Sequence, residues 1–204
     1  MRRREAGLVA GEWPARTTRG EGFVDVPSWR HRAANGACVV LALALAWILK
    51  EFYSRARFED LHWVLAPTRR LVEWLTGAAF EEEPGQGYLS RDRLYRIVPA
   101  CAGVNFLIVA FASLVCGLVH TRASWRGRAA LLAGSALAAY AVTIVANAAR
   151  IAIAMRLHDA GASLGPLTGE RLHCAAGVAV YFAFLCALFA IGARVTGARN
   201  ELAL

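Results

Sequence analysis

The sequence has few charged residues and almost no lysine. Asp, Glu, Lys and Arg together make up 19% of the 204 residues, whereas 57% are hydrophobic, and the mean hydropathy is positive. This composition argues against a soluble globular domain and favours a membrane protein. The net charge of +8 comes almost wholly from arginine, because Lys50 is the only lysine. No DNA- or RNA-binding motif accompanies that charge, so we expect no nucleic-acid partner.

The cysteines lack the spacing of a metal site or of a CxxC redox motif. There are five, all in or beside apolar runs: Cys38, Cys101, Cys116, Cys174 and Cys186. A cysteine in such a run usually behaves as a small hydrophobic residue. We assign that role to Cys38, Cys116 and Cys186, and we predict no metal site and no organic cofactor.

Four apolar runs have about the length that a helix needs to cross a bilayer, which is ~20 residues. They cover residues 33–49, 97–119, 129–149 with a continuation to 155, and 174–193. The first is followed by Lys50 and aromatic residues and shows no small-residue cleavage site, which is typical of an uncleaved signal anchor. We therefore predict an all-α fold, a polytopic helical bundle with four transmembrane helices and membrane lipids around it.

The distribution of arginine predicts the orientation of this bundle. Residues 1–32 hold seven arginines against four acids and have no helical period, and residues 120–128 hold three arginines and no acid. Because basic segments favour the cytoplasmic side, we expect both chain ends and the 120–128 connection inside, with residues 50–96 and 156–171 outside. The predicted units are a disordered cytoplasmic arm (1–32), a membrane domain (33–195) and a short cytoplasmic tail (196–204).

The segment 61–80 resembles a fifth span but carries Pro67, Arg69, Arg70 and Glu73 near its middle. Each charge there would cost about 2.5 to 3.5 kcal/mol inside a bilayer, and a fifth crossing would break the charge pattern. We predict instead an external helical segment lying in the membrane interface. Residues 81–92, EEEPGQGYLSRD, are typical of an exposed, turn-rich loop.

This topology brings three reactive side chains to the outer side of the membrane. Cys101 begins the second span, Arg150 lies one to two turns before the outer end of the third, and His173 starts the fourth. Cys101 follows Pro99 and falls in a predicted first helical turn, where unpaired N–H groups favour an anion such as a thiolate. The histidine could accept the thiol proton and return it to a leaving amine.

Three further residues are candidates for binding or orienting a substrate. Gly103 would let a substrate backbone approach closely, and Asn105, four residues after Cys101, would share its helical face. Asn147 lies three residues before Arg150 and shares its face in turn. An arginine inside a span normally faces a protein interior or a wet cavity, where Arg150 could stabilise a developing oxyanion.

Three motifs carry a resemblance to a known family: ACAGVNF (100–106), NAARI (147–151) and RLHCAAG (171–177). In this order on consecutive spans they resemble the exosortase and archaeosortase family of membrane cysteine transpeptidases, and the short length suggests the exosortase K branch. The resemblance covers roughly residues 60–190. Ala102 departs from the serine that many relatives have at that position.

The resemblance implies a function and a site. Cys101 would be the nucleophile, Arg150 the oxyanion or substrate clamp, and His173 the acid and base. The partners would be exported proteins that carry a C-terminal sorting tail, cleaved at the outer face of a bacterial plasma membrane through a thioester. The new carboxyl end would then pass to a surface acceptor.

Two other functions remain open on the sequence. Cys101 and Cys174, both at the outer ends of spans, could form a redox pair in an oxidising compartment, although neither belongs to a CxxC motif. The chain could also be a non-catalytic membrane subunit, in which small residues such as those of LLAGSALAAYA (131–141) serve helix packing.

Overall fold

The computed structural model describes residues 28–92, 94–161 and 169–201. Its five helices are α1 Ser28–Arg55, α2 His62–Thr76, α3 Val104–Leu118, α4 Trp125–Asp159 and α5 Gly169–Glu201. A three-stranded antiparallel sheet has the order β1-β2-β3, with β1 Phe80–Glu83, β2 Gly87–Ser90 and β3 Arg96–Ile97. Short 3-10 turns occupy Glu59–Leu61, Pro99–Cys101 and Val119–Thr121.

Four helices of the described chain are long and apolar enough to cross a membrane. Their segments are Trp29–Arg55, Pro99–Thr121, Trp125–Asp159 and Cys174–Val195. The predicted helical membrane bundle is therefore confirmed. α1 begins at Ser28, within the last residues of the arm predicted for 1–32, and α5 continues to Glu201 through most of the predicted tail. Residues 1–27 of that arm lie outside the described residues.

α3 lies at the centre of the bundle and packs against α1, α4 and α5. Small residues let the helices approach closely, since Ala42 of α1, Ala110 of α3 and Ala146 of α4 are completely buried. Lipid tails are as apolar as the side chains, so close packing of this kind favours helix association in a membrane. Large side chains such as Trp47 and Phe182 instead remain exposed on α1 and α5, as expected of lipid-facing surfaces.

A second apolar core joins residues 57–97, called here the platform, to the last turns of α4. The platform consists of α2 and the sheet, and Leu65 and Ile97 are among its fully buried residues. They pack in one cluster with Ala148 and Met155 of α4 and with Val104 at the start of α3. The platform thus packs along the second half of α4, from Tyr140 to Arg156, next to the turn that carries Cys101.

α2 is the helical element predicted within 61–80, and it continues through Pro67. Proline has no N–H, so the carbonyl of Trp63 four residues earlier loses its helical partner. The Tyr140 hydroxyl of α4 donates to that carbonyl at 2.6 Å. The aromatic rings of Trp63 and Tyr140 also stack, with centroids 5.7 Å apart. The proline therefore supplies an acceptor through which α2 binds α4.

The sheet is a difference from the predicted turn-rich loop at 81–92. β1 and β2 pair from Phe80 opposite Ser90 to Glu83 opposite Gly87. The side chains of the acidic run contact arginine or histidine side chains of neighbouring segments. Glu81 pairs with Arg91, Glu82 with His62 and Glu83 with Arg96, at 3.0, 3.2 and 3.0 Å.

Candidate active site

Cys101 ends a tight turn between β3 and α3. Pro99 opens the turn, and the Cys101 amide donates to the Val98 carbonyl at 2.7 Å. Gly103 then adopts a left-handed conformation with φ of 70°, and α3 begins only at Val104. Cys101 therefore precedes α3 instead of lying in its first turn, because the glycine separates the two. Its side chain is partly buried.

Asn147 connects this turn to α4 and α5. It is completely buried, and its side-chain amide donates to the carbonyl of Cys101. Its oxygen accepts from the Tyr181 hydroxyl at 2.9 Å and from Nε and Nη2 of Arg150 at 3.3 and 3.2 Å. Asn147 and Arg150 thus share one face of α4, as predicted.

The guanidinium of Arg150 lies between Asn147 and the aromatic ring of Tyr181, 5.6 Å from the ring centroid. Gly177 of α5 leaves room for its stem, since a Cβ there would lie 3.3 Å from Cδ of Arg150. Among the described residues Arg150 makes no ion pair with a carboxylate. The positive charge of Arg150 is therefore stabilised by the neutral side chains of Asn147 and Tyr181. It remains available to an anion that enters the site.

Cys101 and Arg150 line one cavity of about 280 Å³. Tyr95 and Arg96 of the platform and His158 near the end of α4 also line it. The Tyr95 hydroxyl donates to Asp159, and its ring meets that of His158 edge to face at 5.6 Å. The cavity therefore lies between the bundle and the platform, and both apolar and basic side chains line it.

His173, the third predicted catalytic residue, belongs to the first turns of α5. Its side chain lies outside the described residues, so its approach to Cys101 stays a prediction. Cys174, the next residue, is exposed, and like Cys101 it is a free cysteine.

The structure does not bring Asn105 to the cavity. Its side chain is exposed and accepts a hydrogen bond from Nζ of Lys50 at 2.8 Å. The expected shared face with Cys101 assumed one continuous helix, and Gly103 interrupts it. Gly103 itself faces protein: a Cβ there would lie 3.2 Å from Asn147 and 3.3 Å from both Thr143 and Tyr181. Its missing side chain serves the packing of three helices around the cysteine turn.

Sequence reasoning missed Tyr181 and Tyr53. The hydroxyl of Tyr53, near the end of α1, donates to the Pro99 carbonyl at 3.4 Å and lies within electrostatic reach of Cys101 and Arg150. For Tyr181 the sequence does carry a signal. Its phenol lies within the apolar run 174–193, and a buried hydroxyl usually has a hydrogen-bond partner.

The fold and the cavity define a polytopic helical membrane protein in which a cysteine and an arginine from separate spans line one cavity beside the platform. The family model of the transmembrane exosortases (Exosortase_EpsH) matches residues 74–190, more than half of the chain, and the chain belongs to the exosortase family. No curated protein matches it, and no solved structure does. Assignment to the exosortase K branch stays a prediction.

Proposed function

We propose that this protein is a membrane-embedded cysteine protease or transpeptidase that cleaves the C-terminal sorting tails of exported proteins. Family membership supports the processing of sorting signals in a membrane. The observation that carries the catalytic assignment is that Cys101 and Arg150 line the same cavity, with Asn147 hydrogen-bonded to both residues.

The first chemical step is an attack by the thiolate sulfur of Cys101 on the carbonyl carbon of the scissile peptide bond. A C–S bond forms, and the carbonyl oxygen becomes an oxyanion that the guanidinium of Arg150 stabilises. The C–N bond then breaks, the leaving amine takes a proton, and an acyl thioester remains on Cys101. His173 is the group proposed to accept the thiol proton and to deliver it to the amine.

The second step releases the acyl group from Cys101. An amine of a surface acceptor or a water molecule attacks the thioester carbon, the C–S bond breaks, and the thiol regains its proton. Attack by the amine gives transpeptidation and attack by water gives hydrolysis. We propose transfer to a surface acceptor as the main outcome.

We propose the bacterial plasma membrane as the location, with both chain ends cytoplasmic and the cavity facing outward. The basic connection 120–128 supports this orientation, because it joins α3 to α4 at the end of the bundle away from the platform. A sorting tail that crosses the membrane beside the bundle would then present its scissile bond to Cys101.

Co-expression of the full chain with exported proteins that carry candidate C-terminal tails tests the proposal. Loss of the tail is measured as a mass shift of the exported protein. We expect native protein to remove the tail of at least one candidate, and Cys101→Ala to abolish removal. Trapping of a hydroxylamine-sensitive adduct on the native chain would identify the thioester.

Cys186→Ala is the matched control, because Cys186 is an exposed cysteine on α5, outside the lining of the Cys101 cavity. This variant should process the tail at the native rate. Full tail removal by Cys101→Ala, at an expression level equal to that of the control, would refute the proposed nucleophile.

A further inference from the structure

A groove at the other end of the bundle, far from Cys101, has the form of a lipid site. It has a volume of about 680 Å³ and lies between α3, α4 and α5. Its walls are apolar, with Leu118 from α3, Ala138 from α4 and Ile191 from α5. Small residues on α4 create the space, since a Cβ added at Gly134 would meet nothing within 4 Å.

Two arginines, Arg122 and Arg126, line one end of this groove. Nε of Arg122 is buried and has no hydrogen-bond partner among the described residues. Arg126 is exposed, and its guanidinium lies 5.7 Å from the ring centroid of Trp125, an aromatic residue of the kind found at membrane interfaces. Neighbouring Arg128 does not line the groove. It is buried and donates to Asn35 and to the Ala123 carbonyl.

The length of the groove matches one leaflet of a bilayer. Arg126 and Ala138 line its two ends on α4, and their separation of twelve residues corresponds to roughly 18 Å of helix. Half of a ~30 Å hydrocarbon core is ~15 Å. An acyl chain that begins at the arginines would therefore end near the middle of the membrane, with its headgroup at the level of Trp125.

We propose that this groove binds a phospholipid with an anionic headgroup. The phosphate binds the guanidinium groups of Arg122 and Arg126, and one acyl chain lies along Gly134 and Ala138. Charge complementarity selects this occupant: basic pockets between transmembrane helices bind anionic headgroups, and an arginine binds phosphate through several donors at once. The site does not depend on the proposed catalysis.

Thermal unfolding of the purified full chain in detergent tests the site, with three ligands titrated in parallel. Phosphatidylglycerol has charge and chains, phosphatidylcholine with the same chains lacks the net charge, and glycerol phosphate lacks the chains. We expect the midpoint temperature to rise with phosphatidylglycerol at concentrations at least fivefold lower than with phosphatidylcholine. Glycerol phosphate should have no effect.

Two variants separate the headgroup from the chain. R122Q/R126Q removes both charges, and Gly134→Leu fills open space in the groove while it keeps the arginines. Each should abolish the preference for phosphatidylglycerol. The control R55Q/R91Q removes two exposed arginines at the platform end and should keep the preference. Equal stabilisation by both lipids, a preference that survives R122Q/R126Q, or cross-linking of a second protein chain into the groove at Gly134→Cys would overturn the proposal.

Discussion

The side-chain amide of Asn147 donates a hydrogen bond to the backbone carbonyl of Cys101, although the two residues lie on different spans. The same side chain accepts from Tyr181 and from Arg150. One buried amide thus fixes the turn that carries the proposed nucleophile and the position of the proposed oxyanion clamp. We therefore propose Asn147 as a positioning residue, which would act through Cys101 and Arg150.

Replacement of Asn147 separates its two hydrogen-bonding roles. Asn147→Ala leaves the Tyr181 hydroxyl and the Arg150 guanidinium without their acceptor, which costs about 1 to 3 kcal/mol of unfolding free energy. Asn147→Asp keeps an acceptor for both but removes the donor to Cys101. We expect Asn147→Asp to lose about 1 to 3 kcal/mol as well, because the Cys101 carbonyl is left without its donor. The kcat for tail removal should fall at least tenfold with KM little changed. Native kcat in this variant would show that the amide donor is not needed.

Gly103→Ala should damage both folding and processing. A non-glycine residue at φ of 70° costs about 1 to 3 kcal/mol, and the new Cβ would press on Asn147 and Tyr181 at 3.2 to 3.3 Å. We expect a lower midpoint of thermal unfolding and a loss of tail removal larger than the stability loss alone produces. Gly36→Ala on α1, whose Cβ meets nothing within 4 Å, is the matched control and should behave as the native chain.

The contact between Tyr95 and Asp159 depends on pH. The hydrogen bond from the Tyr95 hydroxyl to the Asp159 carboxylate raises the pKa of Tyr95 from 10.0 to about 12. Because the folded-state pKa is raised, the stabilising effect is fully present below pH 10 and is lost as the pH rises through 12. Asp159→Asn should lower this pKa, measured as tyrosinate absorbance relative to Tyr95→Phe. An unchanged titration would contradict the assigned contact.

Cys174 distinguishes the transpeptidase from the redox alternative. Both Cys174 and Cys101 are free cysteines in the structure, and a thioester mechanism uses one thiol only. We expect Cys174→Ala to retain at least half of native tail removal. A thiol count on isolated membranes should find both side chains reduced in the active protein. Loss of activity in Cys174→Ala, with a disulfide in the native chain, would favour the redox function.

The spans could be predicted because bilayer thickness constrains the length of an apolar helix strongly, and the shared face of Asn147 and Arg150 followed from helical spacing. The sheet could not, since the contacts of its acidic strand with His62, Arg91 and Arg96 form only in the folded chain. The contact of Asn105 with Lys50 was missed for a local reason. One left-handed glycine at 103 changes the direction of every side chain that follows, and the sequence does not show its φ.

Pro67 and Tyr140 have a consequence for the evolution of this chain. Alanine at 67 would restore an amide that competes with Tyr140 for the Trp63 carbonyl, so a gain in local helix propensity would be offset by weaker docking on α4. Phenylalanine at 140 would in turn leave that carbonyl unbonded. Neither substitution is favourable alone, and we expect the two positions to covary among homologues.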